Sequence, residues 1–183
     1  MPNLPRQRND RLPVLALVWI GASIFESAFP ACAKAQGAPL SVKQLLRLSG
    51  PELDALYQQG TAVGIPPGRV RGTAILAPGT RRNQALALGT RLVWQGKIIN
   101  PAGTGAVNRF FGLPIVRARV YQDRSWLDGA PSLVLDYSQT SRIYARDRDE
   151  IRQIAPGLFL GIMYSRTEPR PTLLMYFVLE VQS

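Results

Sequence analysis

From Arg69 onward, short apolar stretches alternate with turn-forming residues, and this punctuation constrains the fold more than any other feature of the chain. Pro78-Gly79, Pro101-Ala102-Gly103, Gly112-Leu113-Pro114, Asp128-Gly129 and Pro169-Arg170-Pro171 break the sequence at near-regular spacing. Between the breaks the pattern predicts about eight strands: Val70–Ala77, Arg91–Asn100 with a bend at Gly96, Gly105–Phe111, Ile115–Trp126, Ser132–Ser138, Glu150–Ile154, Leu158–Arg166 and Thr172–Gln182. Many short strands joined by tight turns read as a mainly β, antiparallel sandwich or barrel.

One hairpin can be written in register. Pro156-Gly157 suits a type II turn, with Gly157 at the position that needs positive φ. That turn pairs Ile154 with Phe159, Arg152 with Gly161 and Glu150 with Met163, and on the other face Gln153 with Leu160, Ile151 with Ile162 and Asp149 with Tyr164. Leu158–Tyr164 and Leu173–Leu179 are apolar at both odd and even positions. A strand apolar on both faces is buried on both. One face would look into a filled or ligand-holding interior and the other onto a helix, partner or membrane.

The cover has a candidate upstream. Residues 36–69 predict a short helical lead-in and a loop, ahead of a β domain over 70–183. Ser41 can cap VKQLLRL, and Ser49 or Gly50 can cap a second helix with Pro51 and Glu52 in its first turn. Gly60 ends that helix, and Gly64-Ile65-Pro66-Pro67-Gly68 is too rich in breakers for regular structure.

Residues 1–35 read as a secretory leader: Arg6, Arg8 and Arg11, then the uncharged run Leu12–Phe25, then Ala33-Lys34-Ala35 before an expected cleavage at Gln36. The run is short for a permanent membrane anchor, which takes about 20 apolar residues. Cleavage there predicts a periplasmic or secreted protein. Attachment of a lipid at Cys32 is the alternative, although Phe29-Pro30-Ala31 is an awkward context for it.

The chain has no His and one Cys, which excludes Ser-His-Asp and Cys-His nucleophilic machinery, CxxC redox pairs and the usual His-containing metal sites. No phosphate loop, GxSxG elbow or EF-hand loop occurs, so no cofactor is expected. The net charge of +10 comes mostly from scattered arginines; Lys43 and Lys97 are the only lysines after residue 35. With no interleaved aromatic motif of the RNA-binding kind, nucleic acid is not the expected partner. A basic surface facing an anionic envelope, lipid or polysaccharide, is the better reading.

Candidate site residues are few. Asp136, in SLVLDYS, shares a face with Ser132, Val134 and Ser138, while Leu133, Leu135 and Tyr137 share the other. An acid among apolar neighbours suits a proton-transfer or ligand-anchoring role. An Asp paired with an arginine is the simpler alternative. Arg117, Arg119, Tyr121 and Asp123 share one face of their strand, either a wet interior where an arginine grips an anionic group or an ordinary solvent face. Trp94, Tyr144, Tyr164 and Trp126 could face a cavity or fill a core. Arg142–Arg152, RIYARDRDEIR, reads as a self-neutralising surface segment.

Trp94-Gln95-Gly96-Lys97, Val107-Asn108-Arg109, SWLDGAPSLVLDYSQTS and RDEIRQIAPGLFLGIMY, with the apolar strand that follows, resemble a bacterial group of uncharacterised lipocalin-like proteins. More distantly the order is similar to GXWXG-type families of unassigned function. The resemblance implies a lipocalin-like barrel of about eight strands with one or two short N-terminal helices, holding an apolar ligand. It transfers no catalytic residues. The expectation is therefore an exported barrel that binds a lipid or other apolar small molecule through Trp94, Arg119, Tyr121, Asp136, Tyr137 and Tyr164. Two alternatives stand beside it: a His-free enzyme with Asp136 as acid or base, and an envelope interaction module without a ligand.

Overall fold

The computed structural model describes residues 40–182. The stretch read as a leader, with its expected cleavage site and Cys32, lies outside the described residues. Eight strands, β1 (Gly68–Ile75), β2 (Trp94–Ile99), β3 (Gly105–Phe110), β4 (Leu113–Arg124), β5 (Pro131–Asp136), β6 (Asp147–Ala155), β7 (Leu158–Ser165) and β8 (Thr172–Val181), close into one barrel. Each strand pairs antiparallel with its neighbour in sequence, and β8 closes on β1 with Val70 opposite Val181. Closure leaves no free sheet edge, and it decides for a barrel over a sandwich.

Alternation along the strands sorts residues into two apolar layers. Val70, Ala74, Ala118, Val120, Leu133, Leu135, Ile151, Phe159, Phe177 and Leu179 point inward. Leu158, Leu160, Ile162, Tyr164, Tyr176 and Val178 point outward from β7 and β8, against Leu45, Leu53 and Tyr57 of two short helices, α1 (Val42–Leu45) and α2 (Gly50–Gln58). The strands that read as apolar on both faces are thus those the helices cover. At about 1.5–3 kcal/mol per fully buried large apolar side chain, both layers contribute substantially to stability. Ser41 and Ser49 are the N-caps, each in a capping box closed by Gln44 or Glu52.

A third helix, α3 (Asn83–Val93), was not expected: the strand predicted from Arg91 begins only at Trp94. Among its residues only Asn83 and Ala87 are buried, while Leu88 and Leu92 are exposed. A tertiary anchor holds it. Asn83 Oδ1 accepts the backbone N–H groups of Leu76 and Ala77 at 3.1 and 3.3 Å, and its Nδ2 donates to the Leu46 carbonyl at 2.9 Å.

Two irregularities set which side chains enter the barrel. On β2 the register with β3 shifts between Trp94 and Gly96, so that Trp94 and Lys97, three apart, both point inward. On β6 it shifts between Gln153 and Ala155, so that Gln153 pairs with Phe159, Ile151 with Gly161 and Asp149 with Met163. The hairpin register expected from the Pro156-Gly157 turn is therefore off by one. Ile151 and Asp149 turn inward, and Arg148, Glu150 and Arg152 outward.

The outward group corrects a further expectation, because Arg148, Glu150 and Arg152 are buried rather than on a charged surface. Arg152 forks onto Asp128 with both contacts at 2.7 Å and lies 4.4 Å over the Tyr57 ring. Arg148 pairs with Glu150 and Asp123, each at 3.0 Å, and lies 4.5 Å over Trp126. Asp128 of the β4–β5 turn and Asp123 of β4 supply neutralising charge from positions remote in sequence.

Candidate ligand-binding cavity

The β1–β2, β3–β4, β5–β6 and β7–β8 connections share one end of the barrel, as alternate connections of a meander must. Beneath them lies a cavity of about 350 Å³, bounded by Leu76, Thr90 and Val93 of the α3 connection, Tyr144 of the β5–β6 loop, and Ala74, Phe110, Met163, Met175 and Phe177 of the strands. Leu76 and Val93 are also exposed to solvent, which marks this end as the mouth.

One patch of the lining is polar and closely organised. Lys97 Nζ donates to Asp149 Oδ2 at 2.8 Å, Asn108 Oδ1 at 2.7 Å and Tyr137 OH at 2.9 Å. Tyr137 OH donates to Asp149 Oδ2 at 2.6 Å and accepts from Asn108 Nδ2 at 3.0 Å. Asn108 Oδ1 also accepts the Trp94 indole N–H at 3.0 Å. The rings of Trp94, Tyr137 and Phe177 stand 5.2–5.6 Å from the ammonium, within cation–π range. Lys97 and Asp149 are each only 2% exposed.

These residues come from five strands or their ends, so only the closed barrel brings them together. Burial, and then the adjacent Asp149 carboxylate, push the Tyr137 phenol well above its usual range, so it is a neutral donor at physiological pH. Burial, with the charge of Asp149 behind it, also raises the Asp147 carboxyl. Asp149 Oδ1 is buried without a hydrogen-bond partner. The patch is a held ammonium–phenol–carboxylate set that can orient the polar end of an otherwise apolar molecule. Among the described residues, no group of three or more His, Cys, Asp or Glu side chains is placed to hold a metal ion.

Of the six residues expected to meet a ligand, Trp94 and Tyr137 line the cavity. Tyr164 lies on the outer wall under the helices, edge-on to Trp126 at 5.6 Å. Arg119 and Tyr121 are exposed on the outer face, because Ala118 and Val120 take the inward positions of β4. Asp136 is also outside: it accepts from Tyr121 OH at 2.9 Å and Ser138 N at 2.8 Å, and pairs with Arg166 at 3.0 Å. Burial raises its carboxyl, but the hydrogen bonds from Ser138 and Tyr121 and the charge of Arg166 outweigh that and bring it below the ordinary value. Asp136 is thus the arginine-paired acid of the simpler alternative. The sequence reading missed Lys97, Asn108 and Asp149. A lysine in an apolar strand of a chain whose basic residues are mostly arginine was the available signal for the first.

No family model matches the chain, and no curated protein sequence matches it. A crystal structure of a protein from Thermomonospora curvata is similar in fold, at 17% identity and a TM-score of 0.50, over 75% of this chain and 90% of that one. At that identity the likeness concerns the barrel alone.

Proposed function

We propose that this barrel binds an apolar small molecule or lipid in its interior, with the polar end of the ligand at the Lys97–Tyr137–Asp149–Asn108 patch. The observation that carries the reading is the cavity, whose walls are apolar apart from that patch. Its volume falls within the ~300–1,000 Å³ of typical small-molecule sites and is about twice the ~150 Å³ of an apolar cavity that takes up benzene. A ligand of a few fused rings or a short acyl chain fits that scale better than a full phospholipid. The lipocalin-like resemblance supports the same reading, since a barrel of eight strands can hold one small ligand. The leader-like sequence at residues 1–35 supports a periplasmic or secreted site of action.

Native mass spectrometry of the full chain from its own host, followed by solvent extraction, tests the proposal. A stoichiometric apolar adduct, removed by extraction and regained from a lipid extract, is the expected result. A clean protein mass with no uptake from the extract would leave an interaction module as the surviving reading.

A further inference from the structure

The outer wall of β1, β2 and β3 carries a second concave site of different chemistry. The register places Arg71 of β1 opposite Gly96 of β2, and Gly96 opposite Arg109 of β3. A glycine thus separates two arginines across three adjacent strands. Gly96 has φ 111°, and a Cβ there would meet the Val70 carbonyl and the backbone between Arg71 and Gly72, so no larger residue fits. The result is a pocket of about 210 Å³ lined by Arg69, Arg71, Arg91 and Arg109 together with Gln95 and Gln182.

Arg91 is held there by the end of α3. Gln95 Nε2 donates to the Arg91 and Leu92 carbonyls at 3.1 and 2.9 Å, while its Oε1 accepts the Gly112 N–H at 2.9 Å. This ties the helix terminus to the β3–β4 turn above the pocket.

The four guanidiniums are not neutralised within the described protein. Among the described residues, the arginine ion pairs belong to Arg148, Arg152 and Arg166, which engage Asp123, Glu150, Asp128 and Asp136. Glu180 stands across from Arg71 on β8, on the side away from Gly96, and forms no such ion pair. One carboxylate beside four guanidiniums leaves a strong positive excess at one concave spot.

We infer that this pocket binds a tetrahedral oxyanion, in the first place a phosphate group. Guanidinium forks match phosphate oxygens in pairs. Arginines converging from two strands and a helix suit an anion with several terminal oxygens better than a planar carboxylate with two. The phosphate can belong to a small soluble compound or to a phospholipid headgroup. Leu92, Phe111 and Leu113, exposed just above the pocket, would meet the acyl region in the second case.

The test uses the full chain. Inorganic phosphate is titrated by calorimetry, and sedimentation is measured with vesicles of phosphatidylcholine with and without phosphatidate. Saturable phosphate binding is expected, weakened about tenfold or more in Arg71→Gln/Arg109→Gln, the scale of losing charge-assisted hydrogen bonds. Arg91→Gln, from the helix, should weaken it independently, and Arg117→Gln/Arg119→Gln, which removes the same charge from β4, should leave it unchanged. Phosphatidate-dependent sedimentation that free phosphate competes away and the Arg71/Arg109 variant loses identifies a headgroup. Phosphate binding without sedimentation identifies a soluble compound. Absence of saturable phosphate binding, or an equal loss in the β4 control, overturns the inference. Uptake of an apolar probe by the barrel should be the same in all these variants, which separates this site from the interior cavity.

Discussion

Lys97 Nζ lies 2.8 Å from Asp149 Oδ2 inside the barrel, with the two side chains 2% and 3% exposed. Both charges are almost wholly buried, and each is the other's counter-ion. The arrangement also explains the surrounding groups, because Tyr137 and Asn108 supply the further hydrogen bonds that a buried pair requires.

Removing one partner should therefore cost far more than removing both. Asp149→Asn leaves the Lys97 ammonium buried without a counter-ion and should destabilise the protein by about 3–5 kcal/mol in urea unfolding. Lys97→Met combined with Asp149→Leu removes both charges and should recover most of that loss. A single-variant cost under about 1 kcal/mol would show a solvated, weakly coupled pair.

The Arg152–Asp128 fork gives stability a pH dependence. Hydrogen bonds from Arg152 are the main reason the Asp128 carboxyl lies below its ordinary value. A carboxyl with a lower value folded than unfolded contributes stability that is complete above the unfolded value, near pH 4, and is lost as pH falls through the folded one. Asp128→Asn should thus lower Tm by about 2–4 °C at neutral pH, the effect of about 1 kcal/mol on a domain of this size. The gap from the parent should close below about pH 4. Thermal melts of the two proteins across acid pH provide the check, and a constant gap would contradict the assignment.

Gly161 on β7 is required by packing. A Cβ at this position would run into the Phe177 ring on the paired strand. Gly161→Ala should destabilise by about 1–3 kcal/mol, the usual cost of overpacking a core. Adding Phe177→Leu should relieve part of it, so the two substitutions should be non-additive in equilibrium unfolding.

Met175 offers a way to close the cavity without touching its polar patch. It lines the cavity and is half-buried, and an indole there would occupy space near the mouth. Met175→Trp should weaken uptake of a fluorescent apolar probe by about tenfold or more, equivalent to about 1.4 kcal/mol. Tm should change little. Unaltered uptake would place the probe elsewhere on the protein.

The strand count, the turns, the capped helices and the two-sided burial of β7 and of β8 from Tyr176 to Leu179 were legible in the sequence because each follows from local chemistry, whereas Leu173 and Leu174, expected to be buried, are exposed. Breakers end strands, side chains alternate along them, and Ser41 and Ser49 carry the polar groups that helix starts require. The same alternation correctly grouped Tyr137 with Leu133 and Leu135. It could not say which group faced inward, because that depends on what covers each face.

Two things required the tertiary structure. Helix α3 is held by Asn83 bridging Leu46 to Leu76 and Ala77, a contact between segments far apart in the chain. The buried patch depends on register shifts at Gly96 and next to Ile154. Each adds a residue to one strand, and a slip of one residue turns the following side chains to the opposite face. Asp149 thereby joins Lys97 inside, while Arg152 goes outside to Asp128. The sequence by itself determined which residues could form strands; the pairing of those strands across the closed barrel decided which charges are buried, and with what partners.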